Sequence, residues 1–291
     1  MSPGQKFRAL LAAPGVITLP GVYDGISARI AEKAGFPALY MTGYGVAASA
    51  FGLPDAGLVS ASEMLDRVRM LAASVSVPFI ADGDTGYGGL LNVDRTVRLY
   101  AGAGAARIQI EDQEFPKKCG HTPHRRVVSR EDAERRIRVA AQARPDRDFL
   151  IVARTDAIGA VGLDEALRRG ERFLAAGADI LFIESPESLD DLRRIGDAFR
   201  GAPLLANMVE GGRTPVLTAA ELGTLGFKIA LYPATGFLAA AAALKSAYGA
   251  LAKTGSSDGV ALYPFPEMNA LMGFPSVHEF EKTWIETEDR R

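Results

Sequence analysis

Cysteine is almost absent from this 291-residue sequence, in which Cys119 is the only one. A single cysteine excludes an internal disulfide framework and fits a reducing compartment, so we expect a cytoplasmic protein. The sequence also lacks a large excess of charge of either sign, because 33 basic and 35 acidic residues leave a formal net charge of -2. Because basic residues are not in excess, we do not expect the protein to bind nucleic acid or anionic membranes. The expected partner is a small molecule or another copy of the chain.

Long hydrophobic runs are absent as well. The longest apolar stretch, GFLAAAAAL, is far shorter than the roughly 20 residues that span a bilayer. The N-terminal segment MSPGQKFRALLAAPGVITLP passes directly into a strand pattern and carries no recognisable cleavable signal. We therefore expect no association with a membrane.

A recurring local pattern predicts the architecture. Four helical segments end in a glycine and pass into a short β-rich run, and such glycines suit the left-handed backbone position that closes a helix. These glycines are Gly35, Gly104, Gly177 and Gly226. Four more apolar runs, in VITLPGVYD, VPFIADGD, FLIVARTD and PLLANMVE, bring the strand candidates to eight. Their continuous apolar character is typical of strands buried on both faces of a parallel sheet.

Eight strand and helix units predict an α/β fold of the (β/α)8 TIM-barrel type, which needs roughly 250 residues. An open doubly wound sheet is the alternative. We assign the barrel to residues 1–254, because no linker interrupts the sequence before KTGSSDG. Residues 255–291 lack the repeat and carry aromatic and methionine side chains. We predict that they form a C-terminal helical extension, which packs on the barrel or on a neighbouring subunit.

Polar residues follow most of the predicted strands, at the rim where catalytic groups of a barrel collect. They are Tyr40 with Thr42, Asp82 with Asp84, Glu111, Arg154 with Asp156, Glu184, and Asn207 with Glu210. Any one of them alone fits a solvated loop charge or a helix cap. Five strands ending in charged groups indicate a functional site instead.

The segment DGDTGYGG, residues 82–89, predicts a metal site. Asp82 and Asp84 lie two residues apart, so they point to the same side if the strand continues, and the glycines let the backbone bend around a ligand. With Glu111 they form a carboxylate cluster that a divalent cation can neutralise. Oxygen ligands favour Mg²⁺, with Mn²⁺ as a substitute, whereas the alternative is a glycine-rich turn capped by aspartate.

Arg154 close to a metal suits a substrate that binds as an anion and reacts through an anion. Mg²⁺ can chelate a 2-oxo or 2-hydroxy acid and stabilise an enolate, and the arginine fork can hold a carboxylate with two hydrogen bonds. The predicted chemistry is cleavage or formation of a bond next to a carbonyl.

The loop sequence PKKCGH supplies a proton donor for that chemistry. Lys117, Lys118 and His121 flank Cys119, and we expect these groups to lower the pKa of the thiol towards neutrality. One alternative is a small buried cysteine without a chemical role. Another is a soft metal site formed by Cys119, His121 and His124.

Four motifs together resemble the isocitrate lyase and phosphoenolpyruvate mutase superfamily. They are DGDTGYGG, IEDQEFPKKCGH, VARTDA and LLANMVEGGRTP. The resemblance implies an α/β barrel that binds Mg²⁺, forms a homotetramer and exchanges a C-terminal helix between paired subunits. It also identifies the Lys-Lys-Cys-Gly-His loop with the mobile gate of the lyase branch, whose cysteine protonates the carbanion left by C–C cleavage.

The resemblance assigns roles to individual residues. The metal-site acids are Asp82, Asp84 and Glu111, partly through water. The predicted catalytic residues are Cys119, Arg154, Glu184 and Tyr44, with the last two kept as candidate bases. The predicted substrate contacts are Tyr40, Thr42, Gly43, Tyr44, Asp55, Gly120, His121, Arg154, Glu184, Asn207 and Glu210.

Departures from the 2-methylisocitrate lyases predict the substrate. Those enzymes carry an arginine directly after the phenylalanine of the eighth-strand segment, where this sequence has Leu238. They use another arginine in the C-terminal segment, where PFPEMNALMG has none. A carboxylate without its cationic partner is costly to bury, so we expect a dicarboxylate with apolar or no branching.

The expected activity is therefore Mg²⁺-dependent C–C cleavage of a 2-hydroxy or hydrated 2-oxo dicarboxylate, such as a 2-alkylmalate, 2,3-dimethylmalate or oxaloacetate, with 2-methylisocitrate less favoured. Three alternatives remain open at this point. They are a P–C bond mutase of the carboxyphosphonoenolpyruvate type, an oxaloacetate decarboxylase, and a non-catalytic metabolite-binding protein on the same fold.

Overall fold

The computed structural model describes residues 1–285, and its eight parallel strands close into a barrel in the order β1 to β8. The strands are β1 Ile17–Val22, β2 Leu39–Met41, β3 Phe79–Asp82, β4 Arg107–Glu111, β5 Leu150–Thr155, β6 Ile180–Ile183, β7 Leu204–Asn207 and β8 Ile229–Tyr232. Each strand falls within one of the eight predicted apolar runs. The (β/α)8 prediction is confirmed.

Helices alternate with the strands along the chain. They are α1 Pro3–Ala12, α2 Gly25–Lys33, α3 Gly43–Val46, α4 Ala61–Ser74, α5 Leu90–Gly102, α6 Arg130–Ala143, α7 Ile158–Val161, α8 Leu163–Ala175, α9 Leu189–Ala198, α10 Ala219–Thr224, α11 Thr235–Thr254, α12 Phe265–Met272 and α13 Phe274–Trp284, with a π-helical turn at Ala47–Phe51. Within residues 1–285, none of the helices has the length and apolar character needed to cross a membrane.

The glycines that are expected to close helices have the backbone conformation that this role requires. Gly35, Gly104, Gly177 and Gly226 have φ angles of 90°, 98°, 105° and 90°. This left-handed region is strained for residues with a Cβ atom, and it turns the chain from each helix into the next strand. The local signal therefore predicts the helix ends correctly.

The alternation of side chains along each strand explains why polar groups collect at the carboxyl ends of the strands, above the apolar interior of the barrel. Successive side chains of a strand point to opposite faces, so residues two apart share the inner face of the barrel. Ile80, Val152 and Phe182 belong to an inner cluster of fully buried apolar side chains. Two residues further along the same strands or just past their ends stand polar groups, such as Asp82 and Arg154.

The chain divides into two compact units, the first covering Met1–Leu238 and the second beginning at Ala239. The boundary predicted from the sequence, residue 254, is the end of α11. The second unit begins within α11, and no side chain of this helix is buried in the single chain.

Candidate active site

A cavity of about 280 Å³ lies at the carboxyl ends of the strands. The predicted site residues that border it are Tyr40, Thr42, Tyr44, Asp55, Asp82, Cys119, Gly120, His121, Arg154, Glu184, Asn207 and Glu210. An apolar wall that includes Pro233, Phe237 and Leu238 completes it. Gly43, Asp84 and Glu111 are not among its lining residues. The structure thus brings most of the predicted residues to one place.

The three predicted metal-site acids come close together, but not by the route that the sequence predicts. Strand β3 ends at Asp82, and Asp84 has a left-handed φ of 46°, so the two aspartates do not share one strand face. The backbone N–H of Asp84 donates to Asp82 Oδ1 at 3.1 Å. The backbone N–H of Glu111 donates to the carbonyl oxygen of Asp84 at 2.9 Å. A tight turn, not a continued strand, gathers these acids.

Asp82 is held by donors from three other elements. The backbone N–H of Gly43 donates to Oδ2 and the Gln109 amide donates to Oδ1, each at 3.3 Å. The hydroxyl of Tyr40 donates to the Gln109 side-chain oxygen at 3.0 Å. Sequence reasoning missed Gln109, although its position two residues before Glu111 on β4 could have placed it on the inner face.

The acids fit a divalent cation that keeps part of its water shell. Glu111 Oε1 is buried without a hydrogen-bond partner, and burial raises the pKa of Glu111 well above its usual range despite the charge of Arg154. Burial likewise raises the pKa of Asp84 to about 6. Residues 1–285 contain no group of three or more His, Cys, Asp or Glu side chains able to hold an ion. Mg²⁺, which takes only one or two carboxylates directly, suits this arrangement.

Lys117 supplies positive charge to these acids. Its side chain is only 5% exposed, and its ammonium forms ion pairs with Asp84, at 2.7 Å, and with Asp55. Asp55 lines the cavity, as expected for a substrate contact, but its Oδ1 already accepts from Lys117. The lysine therefore ties the PKKCGH loop to the metal-site acids.

The prediction of a lowered thiol pKa is wrong. Burial raises the pKa of Cys119 to about 11, and the negative charge of Asp55 acts in the same direction. Lys117 faces the carboxylates, Lys118 is exposed, and burial lowers the pKa of His121. Lys117 is thus paired with carboxylates, the side chain of Lys118 lies in solvent and the lowered pKa of His121 favours its neutral form, so Cys119 stays protonated at neutral pH. A protonated thiol is the form that a proton donor needs.

Alkylation of Cys119 tests this reversal. Because only the thiolate is a nucleophile, the alkylation rate with iodoacetamide should still be rising at pH 10, whereas an ordinary cysteine levels off above about pH 8.5. The same chain unfolded in denaturant provides the reference curve. A plateau below pH 9 in the folded protein would contradict the partly buried, protonated thiol.

His121 joins the loop to the strand ends. The backbone N–H of Arg213 donates to His121 Nδ1 at 3.1 Å, so the proton of the neutral ring lies on Nε2, 3.4 Å from Glu184 Oε1. His124 is exposed. In the part of the chain that the structure describes, the two histidines and Cys119 form no metal cluster, and the alternative of a soft metal site is not supported.

Glu184 is fully buried and already accepts several hydrogen bonds. The backbone N–H of Ser185 donates to Oε1 at 2.7 Å, and the Asn207 amide donates to Oε2 at 3.0 Å. Arg154 Nη2 lies 3.3 Å from the same Oε2. These contacts fix the carboxylate of Glu184 at the floor of the cavity.

Arg154 is oriented by carboxylates of the protein. Its Nε and Nη2 donate to the two oxygens of Asp156 at 3.0 and 2.9 Å, and Glu111 lies 3.4 Å from Nε. This edge of the guanidinium is expected to hold a substrate carboxylate, but Asp156 occupies it. A substrate that meets Arg154 in the cavity must therefore use its remaining face.

Gly120 allows the loop to enter the site. Its carbonyl oxygen accepts from the Ser185 hydroxyl at 2.7 Å. A Cβ atom at this position would lie 2.5 Å from Arg154 Nη2 and 2.7 Å from Glu184 Oε2. Only glycine lets the backbone approach these two buried groups so closely.

The remaining predicted contacts lie around the opening. The hydroxyl of Thr42 accepts from the backbone N–H of Gly45 at 3.3 Å and begins α3. Tyr44 is 41% exposed, and its ring centroid lies 5.1 Å from that of Phe237. Glu210 is exposed and accepts a hydrogen bond from the Thr235 hydroxyl.

Comparisons with known proteins agree with this geometry. The model of the phosphoenolpyruvate phosphomutase family matches residues 7–252. The chain is 45% identical over 286 residues to a 2,3-dimethylmalate lyase of Eubacterium barkeri, covering 98% of this chain and 99% of that protein. It is 41% identical over 282 residues to a 2-methylisocitrate lyase of Aeropyrum pernix, covering 96% and 89%. A solved oxaloacetate acetylhydrolase with the inhibitor 3,3-difluorooxalacetate superposes with a TM-score of 0.92 at 35% identity, covering 97% of both chains.

Proposed function

Since this chain belongs to the phosphoenolpyruvate mutase and isocitrate lyase superfamily, we propose that it cleaves the C2–C3 bond of a 2-hydroxy or hydrated 2-oxo dicarboxylate with an apolar branch or none. One observation carries the proposal: the thiol of Cys119 borders a cavity that has an arginine on its floor and apolar side chains in its wall. The first group donates a proton, the second binds a carboxylate, and the third accommodates an alkyl substituent.

The charges around the cavity favour two carboxylates over three. Arg154 is the one side chain with a permanent positive charge among the described residues that line it. Burial lowers the pKa of His121, so this ring adds no charge at neutral pH. At the position where a tricarboxylate lyase would carry an arginine, Leu238 contributes apolar surface. These features support 2,3-dimethylmalate, another 2-alkylmalate or oxaloacetate as the substrate.

Asp82, Asp84 and Glu111 would hold Mg²⁺, or Mn²⁺ in its place, partly through water. A bound cation would supply positive charge to the oxygen on C2 and to the neighbouring carboxylate of the substrate. Lys117 balances the remaining charge of these acids through its ion pairs with Asp84 and Asp55.

The protein's own side chains move two protons. Arg154 binds the substrate carboxylate, and Glu184 or Tyr44 accepts the proton of the C2 hydroxyl as the carbonyl forms. The C2–C3 bond breaks, and its electron pair stays on C3. Cys119 then gives its thiol proton to C3, while the loop around it excludes water. The products are a second carboxylic acid and a 2-oxo acid, or oxalate in place of the 2-oxo acid when the substrate is the hydrate of oxaloacetate.

A screen of 2-hydroxy and 2-oxo dicarboxylates with Mg²⁺ tests the proposal. Release of pyruvate, glyoxylate or oxalate from one of them, dependent on the metal, is the expected result. Phosphonopyruvate is included as the competing substrate. Turnover of the phosphorus compound alone would overturn the lyase proposal in favour of a P–C bond mutase, and loss of CO₂ from oxaloacetate alone would favour a decarboxylase.

Substituting arginine at Leu238 should move specificity towards a tricarboxylate. Leu238 is 44% exposed and borders the cavity, so a longer side chain has room to reach a third carboxylate. We expect Leu238→Arg to raise kcat/KM for 2-methylisocitrate relative to 2,3-dimethylmalate by about tenfold. Leu238→Gln, similar in length but uncharged, serves as the control. Equal effects of the two variants would show that charge at this position does not select the substrate.

We also propose a homotetramer in which paired subunits exchange the C-terminal helices. Large apolar side chains of the second unit are exposed in the single chain, and such surface commonly marks an interface. They include Tyr248, Phe265, Phe280 and Trp284. Light scattering should give four chain masses, and a monomer in solution would contradict the assembly.

A further inference from the structure

Both ends of the Cys119 loop, residues 112–128, are tied to the end of β5. Backbone hydrogen bonds close the neck of the loop, from Val128 to Asp112 and from Glu114 to Arg126, each at 2.9 Å. The Asp112 carboxylate accepts from the Thr155 hydroxyl at 2.6 Å and from the backbone N–H of Asp156 at 2.9 Å. The first end of the loop is thereby anchored beside Asp156.

Arg125 anchors the other end to the same place. Its side chain is only 1% exposed, and its Nη1 donates to Asp156 Oδ1 at 2.7 Å. The same Oδ1 accepts from Arg154 Nη2 at 2.9 Å. One carboxylate oxygen therefore joins the loop to the cavity arginine, although neither Arg125 nor Asp156 is among the residues that border the cavity.

Arg154 needs such a constraint because several carboxylates compete for it. Asp156 binds it with two hydrogen bonds, while Glu111 and Glu184 lie 3.4 and 3.3 Å away. A buried arginine turns towards whichever carboxylate is best placed, since desolvation strengthens each attraction. The position of Asp156 therefore decides which face of Arg154 meets the cavity.

We propose that Arg125 and Asp156 are positioning residues that couple the seating of the Cys119 loop to the orientation of Arg154. The guanidinium is then aimed at the substrate when the thiol is in place. Only the nature of what Arg154 binds rests on the lyase proposal. The contacts that carry the coupling are the three hydrogen bonds that Asp156 accepts and the tie of its backbone to Asp112.

Substitutions at Arg125 distinguish a role in packing from a role in positioning Asp156. The side chain has one described hydrogen-bond partner, Asp156, while its Nη2 is buried without a partner. A single charged donor should therefore be sufficient, so Arg125→Lys should preserve the coupling. Arg125→Met fills similar space without charge and should break it. Arg126→Met is the matched control, because Arg126 is 77% exposed and pairs with Glu114 on the same loop.

The alkylation rate of Cys119 reports on the seating of the loop, and the KM for the substrate reports on the orientation of Arg154. With Arg125→Met, we expect faster alkylation of Cys119 and a KM raised by about tenfold, together with a lower kcat because the displaced loop withdraws the proton donor. Asp156→Asn should also speed alkylation of Cys119, although Asp156 lies outside the loop. Arg125→Lys and Arg126→Met should stay close to the wild type in both measurements.

The double variant decides whether the two residues act as one unit. In that case Arg125→Met with Asp156→Asn changes KM and alkylation no more than the more severe single variant does. Additive changes, or an Arg125→Met protein that behaves like Arg126→Met, would overturn the coupling.

The alkylation rates of Cys119 can be measured without a substrate. The coupling can therefore fail while wild-type lyase activity stands, and inactivity of the wild type towards all dicarboxylates would refute only the lyase proposal.

Discussion

Replacing Cys119 with serine should lower turnover by about 10²- to 10⁴-fold, which is the range that a positioned acid contributes. Serine is close in size to cysteine but a much weaker acid, so the carbanion would lose its proton donor. The local fold should survive, because the hydrogen bonds of the Cys119 backbone do not depend on the side chain. They run from its N–H to the Asp55 carbonyl at 3.0 Å and from the Thr122 hydroxyl to its carbonyl at 2.7 Å.

Turnover with Mg²⁺ and calorimetric binding of oxalate separate the roles of Cys119. Lost turnover with unchanged oxalate affinity is the expected pair of results, and it would exclude a protein that only binds metabolites. A Cys119→Ser protein that keeps the wild-type rate would show that another group protonates C3. Weaker oxalate binding in the same variant would point to a structural role of the thiol.

Substituting alanine at Gly120 should cost about 10²-fold in kcat/KM, since small misplacements of reacting groups carry penalties of that size. The added Cβ atom would lie 2.5 Å from Arg154 Nη2 and 2.7 Å from Glu184 Oε2. Both groups are buried and held by other residues, so the loop and not the floor of the cavity should move. Cys119 would then be withdrawn from the substrate.

Gly102→Ala is the matched control, because Gly102 is exposed in α5 and a Cβ atom added there would meet nothing within 4 Å. We expect this variant to keep full activity. In Gly120→Ala, alkylation of Cys119 should become faster while the unfolding temperature changes little, since the strain is relieved by unseating the loop. Full activity together with slow alkylation of Cys119 would contradict this view of the loop.

Local sequence predicts the barrel because its signals act over a few residues. A glycine such as Gly177 needs only its own backbone conformation to end a helix, and a continuous apolar run such as that of β5 needs only two buried faces. Residues two apart share a face of a strand, which places Glu111 and Arg154 on the inner side of the barrel. The same rule predicts the common rim of the site.

The rule fails where the chain leaves regular structure. Asp84 is predicted to extend the face of β3, but the strand ends at Asp82 and a turn with a left-handed residue brings the acids together. The sequence places Asp156 at the rim without giving it a contact, and it does not single out Gln109, because their importance lies in hydrogen bonds to Arg154 and Asp82. No local sequence pattern identifies which side chains will form hydrogen bonds with Asp82 or Arg154.

By itself, the sequence determined an eight-stranded barrel with acids, an arginine and a cysteine collected at one rim, because periodicity and helix-ending glycines are properties of neighbouring residues. Tertiary structure alone decided the state of these groups. Lys117 looks like a cation for the thiol, yet it pairs with Asp55, 62 residues earlier in the chain. Burial then raises the pKa of Cys119 to about 11. Ionisation depends on solvent exclusion and on charges from distant segments, and both exist only once the chain has folded.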